Sequence, residues 1–419
     1  MALRIHTAIT HGEIDNTEPG RVRARLWVLG RTDPVELDLN GDAWRDVAGA
    51  RVTFINPAAL EQPEALKLQS TQTGVAGDIT ASRKVKVFTG PEEEWRAAYR
   101  EDRMDEVPTE WRNSLYLEWF TAEQGRCVVE SADFEITISD RVWEMDEDEE
   151  GAQKLANMQA MRDFLAAIIQ RPERPEAQEE DEEIDDEEEE EITLSEEAWE
   201  EQLKASDRLT DASLEAYEKY GEDEDADEKT AFVMGWDHLL EDMADAQEGV
   251  MPSDNDSAEK KRRREWADLM NEVTEEAEAA EDSWLEDQEA VDPHPLKDQA
   301  HDYLLQVMGE LSDTDMNEDR GEDPNHPLDS FVSNIMQISG KLAGALHSQR
   351  ELETATQQGY ALAITKRCLI WANEALAALN ALADTAEYAE HRPLFENWQE
   401  GLFNLRASIL RLRDELRAE

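Results

Sequence analysis

The chain has 419 residues, with 41 Lys and Arg against 101 Asp and Glu, a formal net charge of -60 and an apolar content of 40%. That length exceeds one ordinary hydrophobic core, and the charge disfavours nucleic-acid backbone and anionic membrane while favouring basic protein surfaces. No stretch approaches the roughly 18–20 apolar residues that span a bilayer. Residues 1–12 lack the apolar centre of a signal peptide, and two cysteines, Cys127 and Cys368, give no disulfide framework, so a soluble cytoplasmic protein is expected.

The charge is unevenly placed. Residues 1–145 hold 17 basic and 26 acidic side chains, residues 291–419 hold 11 and 22, and residues 146–290 hold 13 and 53, a net of -40. A strongly acidic middle therefore joins two milder ends.

From the N-terminus to about residue 140 the pattern is strand-like. Residues 21–29 alternate, with Val22, Ala24, Leu26 and Val28 on one face and Arg21, Arg23, Arg25 and Trp27 on the other. Residues 35–39 alternate too, and Asn40-Gly41 supplies a turn. Further strands are expected at 51–55, 66–71, 82–88, 114–120, 126–131 and 134–138, with one helix at 92–102. Many short strands with few helices predict an antiparallel barrel or sandwich. A helix over 152–170, with Leu155, Met158, Leu165 and Ile168 at helical spacing, closes this β-rich domain of residues 1–170.

Residues 171–194 follow as a disordered polyacidic linker, because a run of like charge cannot bury enough surface to fold. Residues 195–290 read as an acidic helical segment that starts at Ser195. It carries a stripe of Phe232, Trp236, Leu239 and Met243, then a heptad-like seam of Trp266, Met270, Val273, Ala277, Ala280 and Trp284. Residues 291–419 hold four expected helices, 295–311, 327–348, 351–382 and 393–417, three of them opened by Pro295, Pro327 and Pro393. An antiparallel four-helix bundle follows, making the whole an α+β multidomain protein.

Motifs that would carry chemistry are weak. Asp313, Asp315, Asn317 and Asp319 imitate a calcium loop, but Glu318 replaces its turn glycine and Pro324 its final acid; Asp223, Asp225 and Asp227 fail likewise at Glu228 and Met234. His294 and His301 lie seven apart with Asp298 between them, short of a zinc motif. Gly74 to Asp78 resembles half a phosphate loop without the following lysine, and reads as a β-turn. Its neighbours Arg83, Lys84 and Lys86 form the most basic patch of the N-terminal domain, suited to an acidic segment of this chain or of a partner. The basic run 260–264 has acids at i, i+4 spacing that neutralise it. No catalytic, metal or cofactor residue is assigned, and no cofactor is expected.

Trp199, Trp236, Trp266 and Trp284 all stand in acidic helices, either as small core anchors or as interface anchors in a negative field. The function expected is a non-enzymatic adaptor or regulator that binds a basic protein surface through the central segment, without direct nucleic-acid binding. The alternatives are a nucleic-acid mimic, whose carboxylates imitate phosphate spacing, and an enzyme whose site assembles from distant residues.

Overall fold

A computed structural model describes residues 2–100, 103–104, 107–169, 195–248, 260–263, 294–314, 316, 326–347, 352 and 354–418. The protein is α+β, and its contacts divide it into two units: residues 1–178 with 206–251, and residues 179–205 with 252–419.

The first unit is built on nine strands: β1 (Leu3–Arg4), β2 (Ile9–Glu18), β3 (Arg21–Val28), β4 (Val35–Asn40), β5 (Arg51–Ile55), β6 (Thr71–Phe88), β7 (Thr109–Thr121), β8 (Gly125–Ser131) and β9 (Glu135–Ile138). They form one sheet in the order β1-β8-β7-β6-β4-β3-β2-β5-β9. Two pairings, β1 with β8 and β4 with β6, are parallel, and the rest are antiparallel.

The expected barrel or sandwich is therefore corrected to a single mixed sheet that does not close. Its end strands β1 and β9 are only two and four residues long, and each has one neighbour. The expected strand at 66–71 is also displaced: a short helix, α1 (Pro63–Leu66), precedes β6, which starts at Thr71.

Alternation explains one face of this sheet. Val22, Ala24, Leu26 and Val28 of β3, Leu37 and Leu39 of β4, and Val52 and Phe54 of β5 all enter one core. Leu115, Leu117 and Trp119 of β7 join it. Gly12 makes room there, since a Cβ at that position would stand 2.4 Å from the Phe54 ring.

The intervening residues of β7, Tyr116, Glu118 and Phe120, are buried as well, because helices cover the opposite face. These are α3 (Glu147–Ile169), the second half of α4 (Glu196–Tyr220) and α5 (Ala226–Val233), which pack Met161, Leu165, Ala212, Ala216, Tyr220 and Val233 around Phe120. Asp146 and Glu149 cap α3 reciprocally: the Glu149 amide donates to Asp146 Oδ1 at 2.8 Å and the Asp146 amide to Glu149 Oε2 at 3.0 Å. Between β6 and β7 lies α2 (Glu92–Arg100), and α6 (Asp237–Glu248) follows α5.

The second unit takes the first half of α4, up to Ala205, together with α7 (Pro295–Ser312), α8 (Pro327–Ala345), α9 (Ala355–Asp384) and α10 (Arg392–Leu416). Their shared core includes Tyr303, Val307, Phe331, Ile338, Cys368, Trp398, Leu402, Leu405 and Ile409. The His294 and His326 rings each accept a hydrogen bond at Nδ1 from the amide two residues on, capping α7 and α8 just before their opening prolines. Among the described residues no helix is long and apolar enough to cross a membrane. The polyacidic stretch expected as a linker lies outside the described residues.

Candidate functional site

Five charged side chains meet where α4 crosses β6, β7 and β8 within the first unit, and at least four of them are buried. Glu118 of β7 is fully buried, with Arg126 of β8 on one side and Lys219 of α4 on the other. Arg126 Nε donates to Glu118 Oε1 at 2.7 Å, its Nη1 to Glu215 Oε2 at 2.6 Å, and its Nη2 to the Tyr116 hydroxyl at 3.1 Å. Lys219 Nζ lies 2.5 Å from Glu118 Oε2 and 3.2 Å from Asp78 Oδ2.

The backbone completes the shell. The Asp78 amide donates to Glu118 Oε2 at 3.0 Å, and Asn157 of α3 donates to Asp78 Oδ1 at 2.9 Å. Gly77 is required, because a Cβ there would stand 2.4 Å from Glu118 Oε2. The glycine that resembled part of a phosphate loop thus clears space for a carboxylate.

Electrostatics fix the protonation of this cluster. Burial alone would raise the Glu118 carboxyl, but Lys219 and Arg126 outweigh it and hold the group at about 2. Burial opposes the Lys219 ammonium, and Asp78 and Glu118 more than compensate, holding it well above its ordinary value. Arg126 is raised in the same way, burial being overcome chiefly by Glu118. Burial and the Glu118 charge push the Tyr116 hydroxyl up to about 12. Each of these groups therefore keeps one state at neutral pH, whereas general acid–base chemistry needs a group poised near the working pH. The cluster is a fixed-charge clamp between sheet and helix.

The residues singled out in the sequence are dispersed. Trp199 is half-buried in the second unit, edge-on to Tyr360 at 5.1 Å, with its indole N–H donating to the Thr356 carbonyl at 3.1 Å. Trp236 is half-buried in the first unit against the α3–α4–α5 core. Trp266 and Trp284 lie outside the described residues. Asp223 and Asp225 both hold Lys229, at 2.6 and 2.8 Å. Among the described residues no three His, Cys, Asp or Glu side chains gather as a metal site would require. Asp313 ends α7, and most of its proposed calcium loop is outside the described residues. His294 is a helix cap. Both cysteines are buried free thiols, pushed by burial up to about 12.

Other candidates emerge from burial. On α4, Leu209, Leu214 and Tyr217 are exposed, Tyr217 by 71%. Leu214 and Tyr217 lie on an arc of the helix away from buried Ala212, Ala216 and Lys219, whereas Leu209 is on the face of Ala212 and Ala216, one turn before the buried stretch. Helical spacing alone did not reveal them, because an acidic helix with scattered apolar residues does not state which arc faces the core. On the sheet, a groove of about 420 Å³ is lined by Glu13, Asp15, Arg23, Arg25 and Arg51. There Arg51 pairs with Asp15 at 2.6 Å, and Arg23 pairs with Glu18 at 2.7 Å.

No known protein family, curated protein or solved structure matches this chain.

Proposed function

We propose that the chain is a non-enzymatic adaptor or regulatory protein whose acidic middle engages a basic surface on a partner protein. The observation that carries this reading is the net of -40 over residues 146–290, against -9 and -11 on either side. Such a field steers a basic partner and accelerates encounter, while exposed aromatic and aliphatic side chains slow its departure. Leu209, Leu214 and Tyr217, bare on the acidic helix α4, supply that second ingredient. Trp236 is a further anchor on the same unit. The clamp beneath α4 supports the reading, because it holds the presenting helix rigidly from below. We read the C-terminal helices as an antiparallel four-helix bundle on the strength of their shared core, and the protein as cytoplasmic on the strength of its two unpaired buried thiols.

The test is capture on the immobilised full chain from its native host at about 50 mM and about 500 mM salt, since the Debye length falls severalfold over that range. The captured partner is then titrated against full-length Leu214→Ala and Tyr217→Ala variants. Capture that weakens with salt, and dissociation that quickens in the variants, is expected. A partner insensitive to both would remove the acidic helices from the account.

A further inference from the structure

The two longest strands run on beyond the sheet. Residues 83–88 of β6 and 109–114 of β7 pair only with each other among the described residues; β4 reaches only residues 71–75 of β6, and β8 joins β7 only from Leu115. The register sets Lys84 opposite Asn113 and Lys86 opposite Trp111. Opposite residues share a face, so one side of this ribbon carries two lysines and a tryptophan.

The structure divides the basic triad of the sequence. Arg83 points to the other side, where it pairs with Glu130 at 3.3 Å and lies 4.2 Å over the Tyr116 ring. Lys84 and Lys86 are exposed, and neither has an ion-pair or hydrogen-bond partner among the described residues. Trp111 is 62% exposed beside them. In a chain of charge -60, where acids outnumber cations by more than two to one, this ribbon face sets two neighbouring unpaired lysines around a bare indole.

We propose that this ribbon face docks an extended acidic segment of a partner protein, added as a third strand along an open edge. Lys84 and Lys86 stand two residues apart, about 6.6–6.8 Å along the strand, so acids at alternate positions of an added strand meet them in register. The incoming backbone pairs the N–H and C=O groups that the ribbon leaves open, and Trp111 contributes desolvated area. A nucleic acid would meet the lysines and the indole but leave the strand edge unpaired. Its phosphates, one charge per ~1.7 Å of duplex, also face the repulsion of the remaining chain. This site is separate from the acidic helices and has the opposite polarity.

The experiment uses the full chain and a fluorescein-labelled peptide of four Glu-Val repeats, followed by fluorescence anisotropy at about 50 mM salt. Saturable binding is expected, weakened about tenfold or more by Lys84→Glu/Lys86→Glu and severalfold by Trp111→Ala, with circular dichroism confirming the fold. If the charge reversal disturbs the fold, Lys84→Gln/Lys86→Gln replaces it with the same expectation. A peptide of the same composition in blocks, four Glu then four Val, should bind more weakly. Absence of saturation at about 1 mM peptide, or equal binding by the variants, overturns the proposal. Tighter binding of oligothymidylate, lost in the same variants, assigns the face to nucleic acid instead. Self-association of the wild type, seen by sedimentation and abolished in the variants, assigns it to a second copy.

Discussion

Replacing Lys219 by Met tests the buried clamp most directly. Methionine keeps the length and packing of the side chain but removes the cation that bridges Asp78 and Glu118. Glu118 then stays buried with Arg126 alone, which it shares with Glu215. Holding a carboxyl at about 2 instead of its ordinary 4.5 corresponds to about 3 kcal/mol of folding free energy. A folded value below the unfolded one means that this stability is complete above pH ~4.5 and is lost as pH falls through about 2. Breaking one partner of a buried pair carries a similar penalty, about 3–5 kcal/mol. Lys219→Met should therefore destabilise the first unit by about that amount at pH 7 and move its acid unfolding to higher pH. Removing both charges, as Lys219→Met/Glu118→Gln, should cost about 1–3 kcal/mol less than the sum of the two single changes. Urea unfolding read by hydrogen-exchange mass spectrometry would report β7 and α4 separately from the C-terminal helices. A single-variant loss under about 1 kcal/mol, or strict additivity in the double, would refute the clamp.

Gly77→Ala should displace the Glu118 carboxylate through its 2.4 Å contact and cost about 1–3 kcal/mol in the same assay, without touching any charge. In α10, Leu405→Ala or Ile409→Ala should cost about 2–4 kcal/mol in urea unfolding of the second unit, while exposed Arg411→Ala should cost little; equal losses would mean the wrong helix face. His294 is held below its ordinary 6.5 by burial, so its contribution is complete above pH ~6.5 and is lost as pH falls below that value, when the unfolded state takes up the proton first. Thermal melts of the second unit between about pH 7.5 and 5 should show that decline, and His294→Asn, which retains a capping acceptor, should flatten it.

Helices with uninterrupted 3.6-residue patterns were legible from sequence to within a few residues, as Trp398, Leu402, Leu405, Ile409 and Leu412 of α10 illustrate. Two central stretches of the sheet were not. β2 spends most of its positions on polar residues and Gly12, and the first half of β6 contains Gly74 and Gly77. Glycine reads locally as a turn, yet here it admits Phe54 and Glu118 from neighbouring strands, a contact that no local pattern records. The clamp left a faint trace: Glu118 sits within Leu115-Tyr116-Leu117-Glu118-Trp119-Phe120, a run apolar on both faces, where a solitary acid must find a buried cation. Its partners Glu215 and Lys219 were illegible, because in an acidic helix they look like any solvated pair. Likewise, the sequence grouped Arg83 with Lys84 and Lys86, and only the pleat of β6 separates the paired arginine from the free lysines.

The clamp also bears on the order of synthesis. Glu118 and Arg126 leave the ribosome roughly a hundred residues before Glu215 and Lys219, with the polyacidic stretch in between. At about 5–20 residues per second the sheet waits on the order of 5–20 s for the helix that completes the ion-pair cluster on its second face. During that interval the Glu118–Arg126 pair and Tyr116 lack the α4 groups that complete and cover them, so the nascent N-terminal half resembles a destabilised intermediate more than a finished domain. A messenger that slows translation between the sheet and α4 would lengthen the chain's most aggregation-exposed moment.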